Sequence, residues 1–236
     1  MERFARTERL IGKAAVERLK QARVALFGVG GVGSYTAEAL ARSGVGSLTL
    51  IDADCVDITN INRQLIALSS TIGRPKVEVM RQRILDINPS ADVAAHQVFY
   101  GADTASLVDF SQFDYIVDAI DTVTAKLLLV ERARDAGVPI LSAMGAGNKL
   151  DASRFEITDL SKTTVCPLAR VMRIELKKRD IRHVKVLYSK EEPVLPQDDA
   201  PRVPASIAFV PSVAGLLIAG AVIQDLCGIT QPILPH

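Results

Sequence analysis

The chain has 236 residues, 48% of them hydrophobic, enough for one large α/β domain with a substantial core. Its 28 basic and 27 acidic residues leave a net charge of +1, which excludes a global field that draws the chain to nucleic acid; any such partner must be met by a local patch. The three well-separated cysteines, Cys55, Cys166 and Cys227, exclude a disulfide framework and a four-cysteine zinc site, and point to a reducing compartment, the cytoplasm.

Residues 1–21 carry a charge every few positions and lack the apolar run of a signal peptide, so they are expected to be retained as a basic amphipathic helix. Leu10, Ala14 and Ala15 fall at helical spacing on it, and Arg3, Arg6 and Arg9 are its exposed cations. Next, Val24, Ala25, Leu26 and Phe27 form an apolar run that stops at glycines and restarts with helical periodicity. That is the strand, turn and helix of a nucleotide-binding βαβ unit. Gly28, Gly30 and Gly33 supply the spacing G-x-G-x-x-G. The first allows a tight turn, the second lets a phosphate approach the backbone, and the third lets helix pack on strand. Free N–H groups at the helix start then face an anion. A second strand, residues 47–51, ends at Asp52, which lies 24 residues after Gly28, where a carboxylate can accept from ribose hydroxyls.

A polar insertion follows, with Asp54, Asp57, Thr59, Asn60, Asn62, Arg63 and Gln64. It is too rich in hydrogen-bonding groups to be filler and reads as an active-site loop. Gly73-Arg74-Pro75-Lys76 announces a helix with proline in its first turn, whose apolar positions Val77, Met80, Ile84 and Ile87 recur at intervals of three and four until Asn88-Pro89 ends it. A strand at 93–98 and a short helix around 104–110 lead to a buried strand at 115–117. It terminates at Asp118-Ala119-Ile120-Asp121-Thr122, where open α/β sheets bind ligands. A helix at 124–136 and a strand at 138–143 complete the alternation.

Beyond about residue 150 the alternation weakens. A strand at 155–157, a helix at 167–179 opened by Pro167 and a strand at 184–189 are expected, followed by a loop at 191–204 holding Pro193, Pro196, Pro201 and Pro204. The apolar segment 207–226 is long enough to raise the question of a membrane span. Pro211, Ser212, Gly215 and Gly220 interrupt it, and Gln224 and Asp225 lie in its last turn, so a buried helix and no membrane partner are expected. The fold class predicted is α/β and Rossmann-like, a mostly parallel sheet with helices on both faces. Residues 1–150 form the nucleotide-binding core and 151–236 a smaller, irregular α+β portion on the substrate side of the same domain.

Side by side, the polar groups are the glycine turn, Asp52, Asn60, Arg63, Lys76 and Asp121. An ordinary dehydrogenase needs the turn and one ribose acid; it has no use for an Arg, a Lys and a second strand-end Asp near the phosphates. Phosphoryl or nucleotidyl transfer does, because charge grows on phosphate oxygens and must be met by cations and a bound metal. The chemistry suggested is ATP use.

These residues carry a resemblance. Gly28-Val29-Gly30-Gly31-Val32-Gly33-Ser34, Asp52-Ala53-Asp54, Thr59-Asn60-Ile61-Asn62-Arg63-Gln64, Gly73-Arg74-Pro75-Lys76 and Asp118-Ala119-Ile120-Asp121 are similar in order and spacing to the adenylating family related to ubiquitin-activating enzymes, which includes activators of sulfur-carrier proteins. Arg3-Phe4, Thr7, Leu10 and Gly12, then Asp159-Leu160-Ser161-Lys162-Thr163 and Phe209-Val210-Pro211-Ser212-Val213-Ala214-Gly215, most resemble its tRNA-modifying branch, the threonylcarbamoyladenosine dehydratases. The resemblance implies that Gly31 and its neighbours hold the phosphates, Asp52 the ribose, and Asn60, Arg63 and Lys76 the triphosphate. Asp54 belongs to the same nucleotide set, and Asp121 would hold Mg²⁺. Arg6 would reach the ATP site of a partner subunit, which implies a homodimer; Arg3 or Arg9 could serve instead.

The reaction implied is attack of a substrate carboxylate on the α-phosphate of ATP, giving an acyl-adenylate and pyrophosphate. The activated threonyl carboxylate of the tRNA nucleoside then closes into a ring, with loss of water overall. A sulfurtransferase- or cysteine-desulfurase-type protein is a further partner the resemblance implies. Carrier-protein activators commonly have two C-x-x-C zinc pairs, absent here. Activation of a ubiquitin-like carrier protein is the second reading, and a nicotinamide-dependent oxidoreductase or nucleotide-sensing module the third. Cys166, at a helix start with no evident base beside it, reads as a structural thiol. His96 and His183 have no partner at metal-ligand spacing. Residues 170–190 hold Arg170, Arg173, Lys177, Lys178, Arg179, Arg182, Lys185 and Lys190 against Glu175 and Asp180. This is the local patch expected to meet tRNA phosphates.

Overall fold

The computed structural model describes residues 3–194 and 204–229. Its centre is a seven-stranded sheet of β1 (Arg23–Phe27), β2 (Ser47–Ile51), β3 (Asp92–His96), β4 (Tyr115–Asp118), β5 (Ile140–Ala143), β6 (Phe155–Asp159) and β7 (Lys185–Ser189). The strand order is β3-β2-β1-β4-β5-β7-β6, parallel throughout except that β6 runs antiparallel to β7. The helices are α1 (Ala5–Ile11), α2 (Lys13–Gln21), α3 (Gly33–Arg42), α4 (Lys76–Ile87), α5 (Val123–Ala136), α6 (Pro167–Lys178) and α7 (Phe209–Cys227). Central strands read as unbroken apolar runs because helices cover both of their faces, and every residue of β4 is buried. The chain leaves β1 toward β2 on one side and returns to β4 on the other, so a crevice opens between their carboxyl ends.

Element bounds follow from hydrogen bonding. The strand expected to reach Val98 stops at His96, because its partner β2 ends at Ile51, opposite His96. The strand expected from Val138 starts at Ile140, after Pro139, which has no N–H to give the ladder. The short helix expected around 104–110 is instead two single helical turns, Ala105–Leu107 and Phe110–Gln112; Asp109 restarts the chain by accepting from Ser111 N at 3.0 Å.

The amino terminus departs from expectation more clearly. The single helix predicted over 1–21 breaks at Gly12, whose φ of +84° is open to glycine, into α1 and α2. Leu10 is 85% exposed and Ala14 is also on the surface, while Ala15, Val16 and Leu19 are the residues that enter the core. Arg3 is exposed as expected, though it donates to the carbonyl of Ile87 at 2.6 Å.

The carboxy-terminal portion joins the same sheet through β7 and β6. Of the proline-rich loop, residues 195–203 lie outside the described residues. Helix α7 has the length and composition to cross a membrane, with a mean hydropathy of 1.7 and 39% of its span buried. It packs closely on α3: a side chain at Gly215 would meet the carbonyl of Val32 at 2.3 Å, and Thr36 Oγ1 donates to the Gly215 carbonyl at 3.0 Å. Asp225 near its end accepts from Tyr115 Oη at 2.6 Å and pairs with Lys185 Nζ at 2.6 Å, which ties α7 to β4 and β7. Burial, reinforced by the Asp225 hydrogen bond, pushes the Tyr115 phenol well up, so it stays a donor.

Candidate active site

A cavity of about 470 Å³ lies at the carboxyl ends of β1, β2 and β4. Gly28, Gly30, Gly31, Asp52, Asp54, Asn60, Arg63, Lys76 and Asp121 all line it. Gly33, also expected at the site, does not. Gly33 lies beneath the turn, where a side chain would strike the Gly28 carbonyl at 1.8 Å; this is the helix-on-strand contact its position requires. Arg6 is exposed on α1 and is absent from the lining.

Local physics explains the shape. Gly28 has φ +89° and a Cβ there would meet the Ala119 carbonyl at 2.6 Å, so the turn demands glycine. Gly30 has open space before it, its nearest neighbour being Gln64 Nε2 at 3.8 Å, which leaves room for a ligand against the backbone. Asp52 clamps the turn: its Oδ2 accepts from Val29 N at 2.6 Å and its Oδ1 from Asp54 N at 2.8 Å. Each carboxylate oxygen keeps a free lone pair for a hydroxyl. The loop is built as a cap, with Asp57 accepting from Thr59 N at 2.8 Å while Asn60 Oδ1 accepts from Asp57 N at 3.1 Å. Arg63 is held by the Thr59 carbonyl and Asn62 Oδ1, both at 2.9 Å. Lys76, with a side chain only 7% exposed, reaches Asp54 Oδ2 at 2.7 Å.

The two strand-end carboxylates have different work. Asp118 is fully buried, paired with Lys126 Nζ at 2.8 Å and accepting from Ser142 Oγ. Lys126 Nζ also donates to the Ile120 carbonyl at 3.0 Å, so this hidden pair braces the short loop that presents Asp121. Only Asp121 is open to the cavity; its nearest hydrogen-bond donor is Thr122 Oγ1 at 3.4 Å. A lone carboxylate suits Mg²⁺, which takes one or two protein carboxylates and completes its shell with phosphate oxygens and water.

Sequence reasoning missed part of the wall. Val98, Phe99 and Tyr100 give the cavity an apolar side that fits a planar base, while Gly147, after β5, and Pro204, Ser206 and Pro211, from the carboxy-terminal portion, close it. Asn62 Nδ2 donates to the Ser206 carbonyl at 3.0 Å and joins the two sides. Nothing local in the sequence announces these contacts. Gln64 was visible in the polar loop, and its unused side chain is the signal that singles it out.

The basic stretch needs correction. Tertiary structure supplies acids that the local sequence lacks: Arg179 pairs with Glu131 at 2.7 Å, Lys185 with Asp225, and Lys190 with Glu156. Lys178 meets Glu175 at 2.6 Å, Arg182 meets Asp180 at 3.5 Å, and Arg173 donates to the Thr163 carbonyl at 2.9 Å. Only Arg170 and Lys177 have no such side-chain partner among the described residues. Cys166 is buried at 4% exposure in the cluster with Leu160 and Met172, and His183 meets Asp159 at 3.2 Å.

The chain can now be set beside known proteins. A tRNA threonylcarbamoyladenosine dehydratase of Bacillus subtilis is 46% identical over an alignment of 241 positions, which covers 96% of this chain and 95% of that protein. The solved structure of E. coli tRNA N6-threonylcarbamoyladenosine dehydratase, TcdA, in complex with AMP matches with a TM-score of 0.90 at 35% identity, over 96% of this chain and 94% of that one. The same protein in complex with ATP matches with a TM-score of 0.87 at 34% identity, over 96% and 94%. By contrast, an adenylyltransferase and sulfurtransferase of Candida glabrata is 33% identical over only 56% of this chain and 30% of its own length. A family model described as the ThiF family matches residues 4–235, and with the sheet order and glycine turn already in place, the chain belongs to the ThiF family.

Proposed function

We propose that this chain is an ATP-dependent tRNA threonylcarbamoyladenosine dehydratase. The observation that carries the reading is the convergence of the glycine turn, Asp52, Asn60, Arg63, Lys76 and Asp121 on one cavity, in a chain that aligns nearly end to end with a relative of that name. The threonyl carboxylate attacks the α-phosphate of ATP, pyrophosphate leaves, and the acyl-adenylate is displaced by ring closure with release of AMP; one water is lost overall. Asp52 holds the ribose. Asn60, Arg63 and Lys76 meet the phosphate charge, and Lys76 is released from Asp54 to do so. Asp121 would hold Mg²⁺, which would supply neutralisation of the phosphates. Residues 1–150 and 151–236 act as a single adenylating unit, since the second portion completes both the sheet and the cavity wall.

Arg6 serves a second copy of the chain, a reading supported by its exposure and by its absence from its own cavity. The tRNA is met through Arg170 and Lys177 in the 170–190 stretch. A sulfurtransferase- or cysteine-desulfurase-type partner rests on the family resemblance alone. Helix α7 is read as packed on this body and not in a membrane, a reading supported by its fit against α3, and the cytoplasm is the compartment where ATP and tRNA meet. The sulfur-carrier reading is weaker, because the match to an adenylyltransferase and sulfurtransferase is partial and no C-x-x-C pair is present.

The test is mass analysis of tRNA nucleosides from cells with and without the gene, together with purified protein, ATP and tRNA carrying threonylcarbamoyladenosine. The expected result is a nucleoside lighter by one water, formed only with ATP and with pyrophosphate release. An unchanged nucleoside profile in both arms would overturn the proposal.

A further inference from the structure

Gln64 sits directly after the loop arginine, is 7% exposed and lines the nucleotide cavity. Its backbone is fully used: N donates to the Asn60 carbonyl at 2.9 Å and the carbonyl accepts from Ala67 N at 3.0 Å. The side chain is not. Oε1 is shut off from solvent with no hydrogen-bond partner, and Nε2, which makes no bond to the described residues, lies 3.8 Å from where a side chain on Gly30 would begin. Exchanging the two ends of the amide would leave a buried N–H pair orphaned instead, so one polar end is unsatisfied in either orientation. A buried orphan is destabilising, and an apolar residue of similar size would avoid it. The amide is therefore retained against stability, with its donor end toward the space in front of Gly30.

A ligand in that space must be an acceptor. The turn and its helix N-terminus favour an anion there. Gly30 follows Val29, whose N–H is held by the ribose acid Asp52. The phosphate that meets Gly30 is thus the one nearest the ribose. We infer that Gln64 is an α-phosphate-binding residue: Nε2 donates to a non-bridging oxygen of the phosphate that the substrate carboxylate attacks. An uncharged donor holds that oxygen without neutralising it, leaving the charge to Arg63 and Lys76. This inference rests on the ATP-site reading above.

The test compares wild type with Gln64→Met and Gln64→Glu, measuring the affinity of ATP, AMP and adenosine by calorimetry and the thermal unfolding of each ligand-free protein. For Gln64→Met the expected result is a raised melting temperature without ligand, since the orphan carbonyl is gone, together with about tenfold weaker ATP and AMP binding and unchanged adenosine binding. Gln64→Glu, which sets a negative charge against the phosphate, should weaken ATP and AMP further than Met. Unchanged ATP and AMP affinity in Gln64→Met would overturn the inference, as would equal weakening of adenosine accompanied by a lower melting temperature, the mark of a packing role. Wild-type protein that binds neither ATP nor AMP would instead sink the ATP-site reading itself.

Discussion

At the scale of residues, two of the buried lysines, Lys76 and Lys126, make opposite predictions. Lys76 is 7% exposed at its side chain, but its partner Asp54 is 68% exposed, so losing the lysine returns a carboxylate to water at little cost. Lys76→Ala, like Asp121→Ala, should lower ATP-dependent turnover by about two or more orders of magnitude while the melting temperature moves by only a few degrees. Pyrophosphate release and thermal unfolding measure the two arms, and near-normal turnover in either variant removes that residue's role. Lys126 and Asp118 are both 0% exposed. Lys126→Met strands a buried charge, and the loss should be about 3–5 kcal/mol. Denaturant unfolding reads this directly; a loss under about 1 kcal/mol would mean the pair is not the buried brace described above.

At the scale of elements, α3 is held to α4 by one carboxylate. Glu38 accepts from Arg42 Nε at 2.7 Å and from Arg83 Nε at 2.6 Å. Burial alone would raise its pKa, but the hydrogen bonds from Arg83 and Arg42 outweigh that and hold it below the ordinary 4.5. A carboxyl depressed in the folded state stabilises the fold above its unfolded value and loses that contribution as pH falls through the folded value. The stabilisation from Glu38 is therefore complete above about pH 4.5 and fades on further acidification. Glu38→Gln should be less stable at neutral pH and show a flatter decline of stability below that point. An acid limb as steep as wild type's would assign the acid sensitivity to other carboxylates.

At the scale of the whole molecule, the proposed role of Arg6 in the site of a second copy can be tested by complementation. Mixing Arg6→Ala with Lys76→Ala protein should restore up to about a quarter of wild-type activity, because half of randomly formed dimers are hybrids and each hybrid keeps one complete site. No recovery after verified subunit exchange would show that Arg6 does not act across subunits. The surface charge gives a second test. With six of the eight cations in the 170–190 stretch engaged within the fold, Arg170→Ala with Lys177→Ala should flatten the salt dependence of tRNA binding by up to about two ion-release units, each near 0.7 to 0.9 in slope. ATP affinity should stay unchanged, and an unaltered slope would move the tRNA contact elsewhere.

What the amino-acid sequence determined by itself is what short-range geometry encodes. Gly28, Gly30 and Gly33 mark a turn that only glycine permits, and Asp52 is one strand further on. Lys76 rides the first turn of a helix that its proline starts. Each depends on neighbours a few residues away or on one βαβ unit, so the Rossmann-like core was legible before any coordinates, and nine of the eleven candidate residues line one cavity. Tertiary structure decided what depends on distant partners. Asp118 and Asp121 look alike in sequence, yet a lysine one helical turn beyond pairs with the buried one and leaves the other to face the cavity. The cations at 170–190 looked unopposed until Glu131, Glu156 and Asp225 arrived from other elements. The part of the wall made by Pro204, Ser206 and Pro211 exists only because the carboxy-terminal portion lies against the mouth of the sheet. A charge or an amide carries no label for the partner that topology will bring.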